Sequence, residues 1–398
     1  SFPAGVVSVT TTGAIRGLIK GLVKGAATVR VTYGGFSEDI QVEVVDPVLM
    51  GLRISPTLAM SAPGSFRVYQ AFSLFSDGTE IESTSSVVWG SSSDKVTFDS
   101  AEPGVARLAL DAPVGVGQDV AVTASLPDFS AAGTLSVGNY LFAANDTDPD
   151  GGTPSTFLTS FSYANNGSLA KVGEVSVDRF PINLAIHPTG RFLYVPGVLA
   201  NRITSFRINT DGTLTSLGSV SARTGPYQLT VDPSGRYVFS TNSSNGTLGA
   251  YRVLSNGALE DNNPATGALL IGGRVRSLDV SRDGRFLFVS SRDGDQVVSL
   301  AIGIDGRLSV VDTVGGTPTL NGGGEVRAHP TLDLLYTIGP DTERLYWWNI
   351  DSSGRLSLVG SLFLEGPYFK QIDLSPDLRN VYMTGLTQVL SAGLAADG

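Results

Sequence analysis

The chain has 398 residues, a net charge of −10 at pH 7, 41% apolar residues and no cysteine. This length allows two to four domains with filled cores, and the absence of cysteine excludes disulfides and thiolate metal sites. An acidic chain without a basic stripe argues against nucleic acid as a partner, and no apolar run is long enough to span a membrane.

Residues 1–46 predict short β-strands. Apolar residues alternate with polar ones at 27–33 and 40–44, and Gly34-Gly35 supplies a turn between these two segments. Alternation with period 2 is typical of half-buried strands. We interpret 1–46 as the C-terminal part of a domain whose leading strands are missing.

Residues 47–138 predict a fuller module of the same kind. Short alternating strands follow one another, the pair Asp77-Gly78 favours a hairpin turn, and Trp89 stands in a strand as a core residue. This pattern is typical of an Ig-type β-sandwich.

Both segments resemble the bacterial Ig-like repeats of cell-surface adhesins. Phe75–Thr79 and Trp89–Ser93 carry the resemblance in 47–138, and Val6–Gly35 carries it in 1–46. The resemblance implies two Ig-like domains, one partial and one complete, that serve as spacers on a bacterial surface.

One sequence pattern of strands and turns repeats through residues 139–398. It consists of an apolar strand, a Pro-Gly-Arg-type turn, two further strands, an Asn/Asp-Gly turn and a fourth strand. The first turn begins, at spacings of 45, 49, 48 and 46 residues, with His187, Asp232, Ser281, His329 and Ser375. The second turn has its glycine at Gly167, Gly212, Gly257, Gly306, Gly354 and Gly398. Such a period predicts a β-propeller, so the fold class is all-β, with Ig-like β-sandwich modules followed by a propeller.

The repeated sequence pattern resembles that of the seven-bladed lactonase family, which includes bacterial 6-phosphogluconolactonases. The copy at His187–Ser219 carries the resemblance best, and its repeats cover nearly all of 139–398. The residues themselves predict six blade equivalents and a propeller truncated at its C-terminus, whereas the family implies seven blades. A six-bladed ring would need only an outer strand and one inner strand, for which Thr134–Val137 is a candidate.

Two histidines and several arginines are the candidates for chemistry in the propeller. His187 and His329 occupy a turn position that Asp or Ser fills in other blades, so we predict that they hydrogen-bond within their own turns. A general base or metal ligand is the alternative for each. Arginines at the turns repeat with the fold and are predicted to be structural; they are Arg191, Arg236, Arg285 and Arg379.

A lactonase would need a base and cationic groups at one mouth of the propeller channel. The less periodic residues that are candidates for this mouth are Arg223, Arg274, Arg276, Glu325 and Lys370. The alternative is that these are ordinary charged residues of surface loops.

The segment 146–151 is the candidate metal site. Asp146, Asp148 and Asp150 alternate and are followed by Gly151, which would place three carboxylates on one side of a tight loop, as calcium requires. Phe157 stands where an EF-hand would have glutamate, so an EF-hand is excluded. The alternative is a solvated acidic hairpin tip.

These observations favour a secreted or cell-surface bacterial protein whose Ig-like spacers present a non-catalytic propeller. We expect its partner to be a protein or glycan at the cell surface, with self-assembly into a filament or layer as a further expectation. The alternative is an extracellular lactonase, for which the chain has neither a Gly-x-Ser-x-Gly elbow nor a His-Glu-x-x-His motif.

Overall fold

All regular structure in the described part of the chain is β-strand. The computed structural model describes residues 7–9, 19–21, 24–33, 35–109, 112, 119–144, 156–164, 168–262, 269, 271, 273–291, 296–315, 324–339, 342–365, 369, 371–375, 378–385 and 388–395. In these ranges there is no helix, and hence none with the length and apolar character that crossing a bilayer requires. The predicted all-β class is confirmed.

The strands that precede the propeller form hairpins and small sheets. In chain order they are β1 (Val7–Val9), β2 (Ile19–Gly21), β3 (Gly25–Tyr33), β4 (Phe36–Val44), β5 (Leu49–Ser55), β6 (Leu58–Ser61), β7 (Phe66–Val68), β8 (Gln70–Phe75), β9 (Glu80–Glu82), β10 (Val88–Ser91), β11 (Val96–Phe98), β12 (Val105–Leu108), β13 (Asp119–Leu126) and β14 (Phe129–Val137). The chain divides into two compact units, residues 1–53 with 72–83 and residues 54–71 with 84–398.

The first unit contains antiparallel hairpins. Strand β1 pairs with β2, and β3 pairs with β4 from Gly25 opposite Val44 to Tyr33 opposite Phe36. In the same unit β8 and β9 pair around the predicted Asp77-Gly78 turn, where Gly78 has a φ of +82°. A glycine is needed there because other residues rarely adopt this left-handed conformation.

In the second unit two sheets share one core. They have the strand orders β10-β13-β14-β6 and β11-β12-β7, and Tyr69, Ala106, Val122 and Leu135 are fully buried between them. Trp89 packs against this core and donates from its indole nitrogen to Thr84 O at 2.9 Å. Two sheets on one core make a β-sandwich. Its Ig-like character and the domain limits 1–46, 47–138 and 139–398 stay predictions.

The proposed closing strand of a six-bladed ring is wrong. Thr134–Val137 belongs to β14, which pairs antiparallel with β13 and parallel with β6. Its alternate residues Leu135 and Val137 are needed in the core of the sandwich, where both are buried.

The propeller forms six sheets in the described residues, with three strands in the first and last and four in each of the others. We number them blades 1 to 6. Blade 1 contains β15 (Tyr140–Ala144), β16 (Phe157–Tyr163) and β17 (Leu169–Ser176), and blade 2 contains β18 (Ala185–Ile186), β19 (Phe192–Gly197), β20 (Arg202–Ile208) and β21 (Leu214–Ser221). Blade 3 contains β22 (Pro226–Val231), β23 (Tyr237–Asn242), β24 (Thr247–Val253) and β25 (Leu259–Asp261), and blade 4 contains β26 (Val275–Val280), β27 (Phe286–Ser291), β28 (Gln296–Ile302) and β29 (Leu308–Gly315). Blade 5 contains β30 (Val326–Ala328), β31 (Leu334–Gly339), β32 (Arg344–Ile350) and β33 (Leu356–Phe363), and blade 6 contains β34 (Gln371–Leu374), β35 (Asn380–Thr384) and β36 (Val389–Gly393).

Neighbouring blades interlock at the second repeated turn. A Cβ atom on its glycine would lie 2.2–2.5 Å from an aromatic ring of the preceding blade. The pairs are Gly212 with Tyr140, Gly257 with Phe192, Gly306 with Tyr237, and Gly354 with Phe286. The recurrent glycine is therefore required both by its positive φ and by the ring that lies on it.

Candidate active site

The inner strands of the blades are joined by a ladder of side-chain acceptors. The acceptor stands four residues before the first residue of each repeated turn, at Asn183, Gln228, Ser277, Glu325 and Gln371. In blades 2 to 5 its oxygen accepts the backbone N–H of the next inner strand, at 3.1–3.2 Å. The donors are Leu229, Leu278, Val326 and Ile372 in turn. This ladder places five polar side chains around the end of the axis where the inner strands begin, which we call the upper mouth.

Glu325 is the one ladder residue with an ionisable side chain. Its Oε1 accepts the Gln228 side-chain amide at 3.2 Å, and its Oε2 accepts the backbone N–H of Ile372 at 3.1 Å. Burial raises the pKa of Glu325 to about 7, while the positive charge of Arg327 and these two hydrogen bonds act in the opposite direction. A carboxyl group with a pKa near neutrality can accept and return a proton at physiological pH.

The upper mouth encloses a cavity of about 380 Å³. Glu325, Arg276 and Tyr227 are ionisable groups in its lining, and the ladder residues Asn183 and Gln371 lie there too. In the described part of the chain the Arg276 guanidinium has no hydrogen-bond or ion-pair partner. An uncommitted cation and a carboxyl of raised pKa therefore share one small cavity.

The histidines lie in the turns, as predicted. Thr189 N donates to His187 Nδ1 at 3.1 Å, so Nε2 carries the proton and donates to Gly235 O of the next blade at 3.0 Å. Burial lowers the pKa of His187, and burial lowers that of His329 to about 4. Both rings are neutral at physiological pH, and neither lines the upper cavity.

The equivalent Asp and Ser residues also accept backbone N–H groups of their own turns, including one from a later residue of the turn than in the His187 copy. Asp232 Oδ1 accepts Tyr237 N at 2.6 Å, and Ser281 Oγ accepts Phe286 N at 3.0 Å. The side chain at this position thus holds the turn, whatever its chemistry, which confirms the structural interpretation of the position.

The other predicted residues divide into three groups. Of the candidates for the channel mouth, Arg276 and Glu325 line the cavity; Arg223 and Arg274 do not line it, and Lys370 lies outside the described residues. Two turn arginines are held in their own turns, Arg236 by Ser234 and Arg285 by Asp283. The calcium candidates Asp146, Asp148 and Asp150 lie outside the described residues, and within those residues there is no cluster of three or more potential metal ligands.

The ladder itself was missed by the sequence interpretation, although a signal for it exists. A polar residue four positions before the turn is present in all five copies from blade 2 to blade 6. An alignment of the repeats at the turn shows that Glu325 is charged where the other four copies have a neutral polar residue.

The sequence and fold were compared with known proteins. A family model described as "Lactonase, 7-bladed beta-propeller" matches residues 135–268. No curated protein matches the chain by sequence. The described residues of the propeller form six sheets, whereas the family model is described as seven-bladed.

Many solved structures resemble the chain, and two of them are described below. One is a putative 6-phosphogluconolactonase from Bacteroides uniformis, with a TM-score of 0.57 and 17% identity over 65% of this chain and 80% of that one. The other is the periplasmic gluconolactonase PpgL of Pseudomonas aeruginosa, with a TM-score of 0.56 and 18% identity over 69% of this chain and 88% of that one. Identities this low define the fold alone. The chain therefore contains a lactonase-like β-propeller.

Proposed function

We propose that the protein is a lactonase that opens sugar lactones at the upper mouth of the propeller. The family match and the names of the two structural relatives support this function more than the non-catalytic adhesive role that the Ig-like resemblance favours. Fold similarity alone does not carry an activity, so the argument depends on the residues of the cavity.

The observation that carries the proposal is Glu325. The ladder requires only a hydrogen-bond acceptor, and Asn, Gln or Ser stands at this position in the other blades from 2 to 6. A carboxyl group there exceeds what the fold requires, and burial brings its pKa to about 7. Ionisable groups with such shifts concentrate at functional sites.

The cavity has the groups that lactone hydrolysis needs. Glu325, held by Gln228 and Ile372, takes a proton from water as the water oxygen bonds to the lactone carbonyl carbon. Arg276 stabilises the negative charge that develops on the carbonyl oxygen. The bond between the acyl carbon and the ring oxygen then breaks, and the ring oxygen takes the proton from Glu325. The product is a hydroxy acid.

The polar lining favours a substrate with many hydroxyl groups. The fold uses the oxygens of the ladder amides as acceptors, Asn183 Oδ1 for Leu229 N and Gln371 Oε1 for the hydroxyl of Thr384. Among the described residues, the amide nitrogens of Asn183 and Gln371 and the Tyr227 hydroxyl have no partner, so they are free to donate. A sugar lactone offers acceptor oxygens all around its ring, whereas an aliphatic lactone offers them at the ester group alone.

The test is a hydrolysis assay of the purified protein on glucono-1,5-lactone, its 6-phosphate and an unsubstituted aliphatic lactone, each corrected for spontaneous opening. We expect catalysed opening of a sugar lactone and little effect on the aliphatic one. The matched control is Glu325→Gln, which keeps the ladder acceptor and removes the base. No rate above background on any lactone, or equal rates for the control, would overturn the proposal.

We also propose that the activity is located outside the cytoplasm. The adhesin-like sequence of residues 1–138 supports this, and one structural relative is named as a periplasmic enzyme. Cell fractionation with an antibody against the propeller tests it, and detection in the cytosol alone would refute it.

A further inference from the structure

A second cavity lies at the opposite end of the propeller axis, where the inner strands end. We call this end the lower mouth. The cavity has a volume of about 360 Å³. Its walls are residues near the ends of inner strands (Val231, Val280 and Leu374), the prolines of three repeated turns, and strand β7 at Phe66–Val68. This volume is in the range of small-molecule sites.

Strand β7 contributes Arg67, which is tied to backbone carbonyls. Its Nη1 donates to Pro188 O at 2.9 Å, and its Nη2 donates to Met60 O and, at 3.3 Å, to Ser61 Oγ. The first of these bonds joins β7 to the repeated turn of blade 2. These are neutral acceptors, so they orient the guanidinium without neutralising it.

The other arginines of the lower mouth have counter-ions. Arg327 donates to Asp373 at 3.0 Å and lies 3.8 Å from Asp279. Arg282 forms an ion pair with Asp333 at 2.7 Å. Arg67 has no carboxylate partner among the described residues.

The lack of a counter-ion for Arg67 is energetically unfavourable because its guanidinium is desolvated. Burial lowers the pKa of Arg67 to about 10, and its charge contributes to lowering the pKa of nearby His187. Desolvated charges in proteins are as a rule paired, because an unpaired one forfeits its hydration without compensation. The lower mouth therefore has one buried positive charge, that of Arg67, without a counter-ion, beside the paired charges and the apolar residues of its lining.

We propose that the lower mouth binds a small organic anion with a single carboxylate and an apolar body. The carboxylate neutralises Arg67, and the body packs on Val231, Val280, Leu374 and the turn prolines. A second negative charge on the ligand is disfavoured, because Asp279 and Asp373 lie in the same lining. This site is separate from the upper mouth and does not depend on the proposed lactonase activity.

The competing explanation is that Arg67 only fixes β7 to the turn of blade 2 through its carbonyl contacts. The two explanations differ in what a negative charge added to the lining should do. Leu378 lines the cavity and has a φ of +58°, which Asn and Asp adopt more easily than Leu. Leu378→Asp and Leu378→Asn are thus a matched pair that the backbone tolerates and that differs by one charge.

The test is a titration of the full chain with benzoate and with its neutral counterpart benzamide, followed by ligand-observed NMR at constant ionic strength. We expect benzoate to bind at least roughly tenfold more tightly than benzamide, since a buried charge-assisted hydrogen bond is strong. Leu378→Asn should keep this affinity, and Leu378→Asp should weaken benzoate roughly fivefold without affecting benzamide. In Arg67→Met, if folded by circular dichroism, the preference for benzoate should disappear.

The site is refuted if wild-type protein does not prefer benzoate over benzamide, or if the two Leu378 variants bind benzoate equally. Loss of benzoate binding in Arg276→Met would also refute it, because that result would place the anion at the upper mouth. A preference for benzoate that survives in Arg67→Met would refute the assigned role of Arg67.

Discussion

The two mouths of the propeller axis are built from the two ends of the same inner strands, yet they treat charge differently. At the lower mouth, the blades' own charged side chains satisfy one another, and only Arg67 of β7 lacks a carboxylate partner among the described residues: Thr230 donates to Asp279 at 3.2 Å, and Arg327 donates to Asp373 at 3.0 Å. At the upper mouth the ladder uses backbone donors, and Glu325 has no ion-pair partner among the described residues. A charge that its surroundings leave uncompensated is available to a substrate, whereas a paired one stabilises the fold.

The largest expected effect concerns that uncompensated carboxyl. Glu325→Gln should lower kcat for a sugar lactone by about 10²- to 10⁴-fold, the range of general-base contributions. At pH 5, where the folded protein keeps Glu325 largely protonated, the melting temperature should change little, because glutamine already fills the ladder position at Gln228 and Gln371. Steady-state kinetics and thermal melts of the same preparations measure both.

The control for this variant is Gln371→Asn, which alters another ladder residue of the same cavity without touching the base. It should lower kcat less than tenfold, because it moves one substrate contact only. Equal losses in the two variants would mean that the ladder geometry, and not the Glu325 carboxyl, limits the rate.

The next prediction compares the stability cost of alanine in two repeated turns at the lower mouth that have similar sequences. Gly190 and Gly284 stand at the same repeat position with φ of +71° and +73°. A Cβ on Gly190 would lie 2.3 Å from Met60 O, whereas one on Gly284 would meet only Pro233 Cδ at 3.6 Å. Alanine should cost about 1–2 kcal/mol at both for the left-handed backbone, and about 1–3 kcal/mol more at Gly190 for the clash.

Urea denaturation of Gly190→Ala and Gly284→Ala measures this difference. Equal free energies of unfolding would show that strand β6 does not rest on the blade 2 turn. The comparison is internal, since both variants carry the same backbone strain.

A third effect is a pH dependence of stability that belongs to the upper mouth. Glu325 has a folded pKa of about 7 against a model value of 4.5, so the folded state binds the proton more tightly than the unfolded state. Its contribution to stability is greatest below about pH 4.5, falls as the pH rises to about 7, and is constant above that. The total fall is up to about 3 kcal/mol.

Chemical denaturation of wild type and Glu325→Gln at pH 5 and pH 8 isolates this contribution. The difference between the two proteins should move in favour of the variant at pH 8, while the shifted histidines, present in both, cancel. A difference that is the same at both values would mean that Glu325 titrates normally.

Much of the propeller could be predicted because its geometry repeats. The spacing of the turns predicted six blade equivalents, which match the six propeller sheets of the described residues, and it showed that His187 shares a position with Asp232. Equivalent positions in a repeat have equivalent backbone surroundings, so a change of residue type at one position is informative.

What could not be predicted is non-periodic. The raised pKa of Glu325 depends on how deeply the cavity buries it, and no local pattern encodes burial. The bond from Arg67 to Pro188 O joins segments 121 residues apart, and neither segment signals the other. The misassignment of Thr134–Val137 has the same origin, because an alternating strand fits a sandwich and a propeller equally well.

The smallest effects are expected from the paired charges of the lower mouth. They test whether charge pairing at this mouth stabilises the fold. Asp333 is half-exposed in its ion pair with Arg282, so Asp333→Asn should lower the free energy of unfolding by less than about 1 kcal/mol, and by less still in high salt. The Asp279 side chain is only 16% exposed and accepts Ala328 N at 2.9 Å, so Asp279→Asn should lower the free energy of unfolding by about 1–3 kcal/mol. If Asp279→Asn is as mild as Asp333→Asn when unfolding is followed with urea, the lower network does not hold the blades together, and charge pairing there would need another explanation.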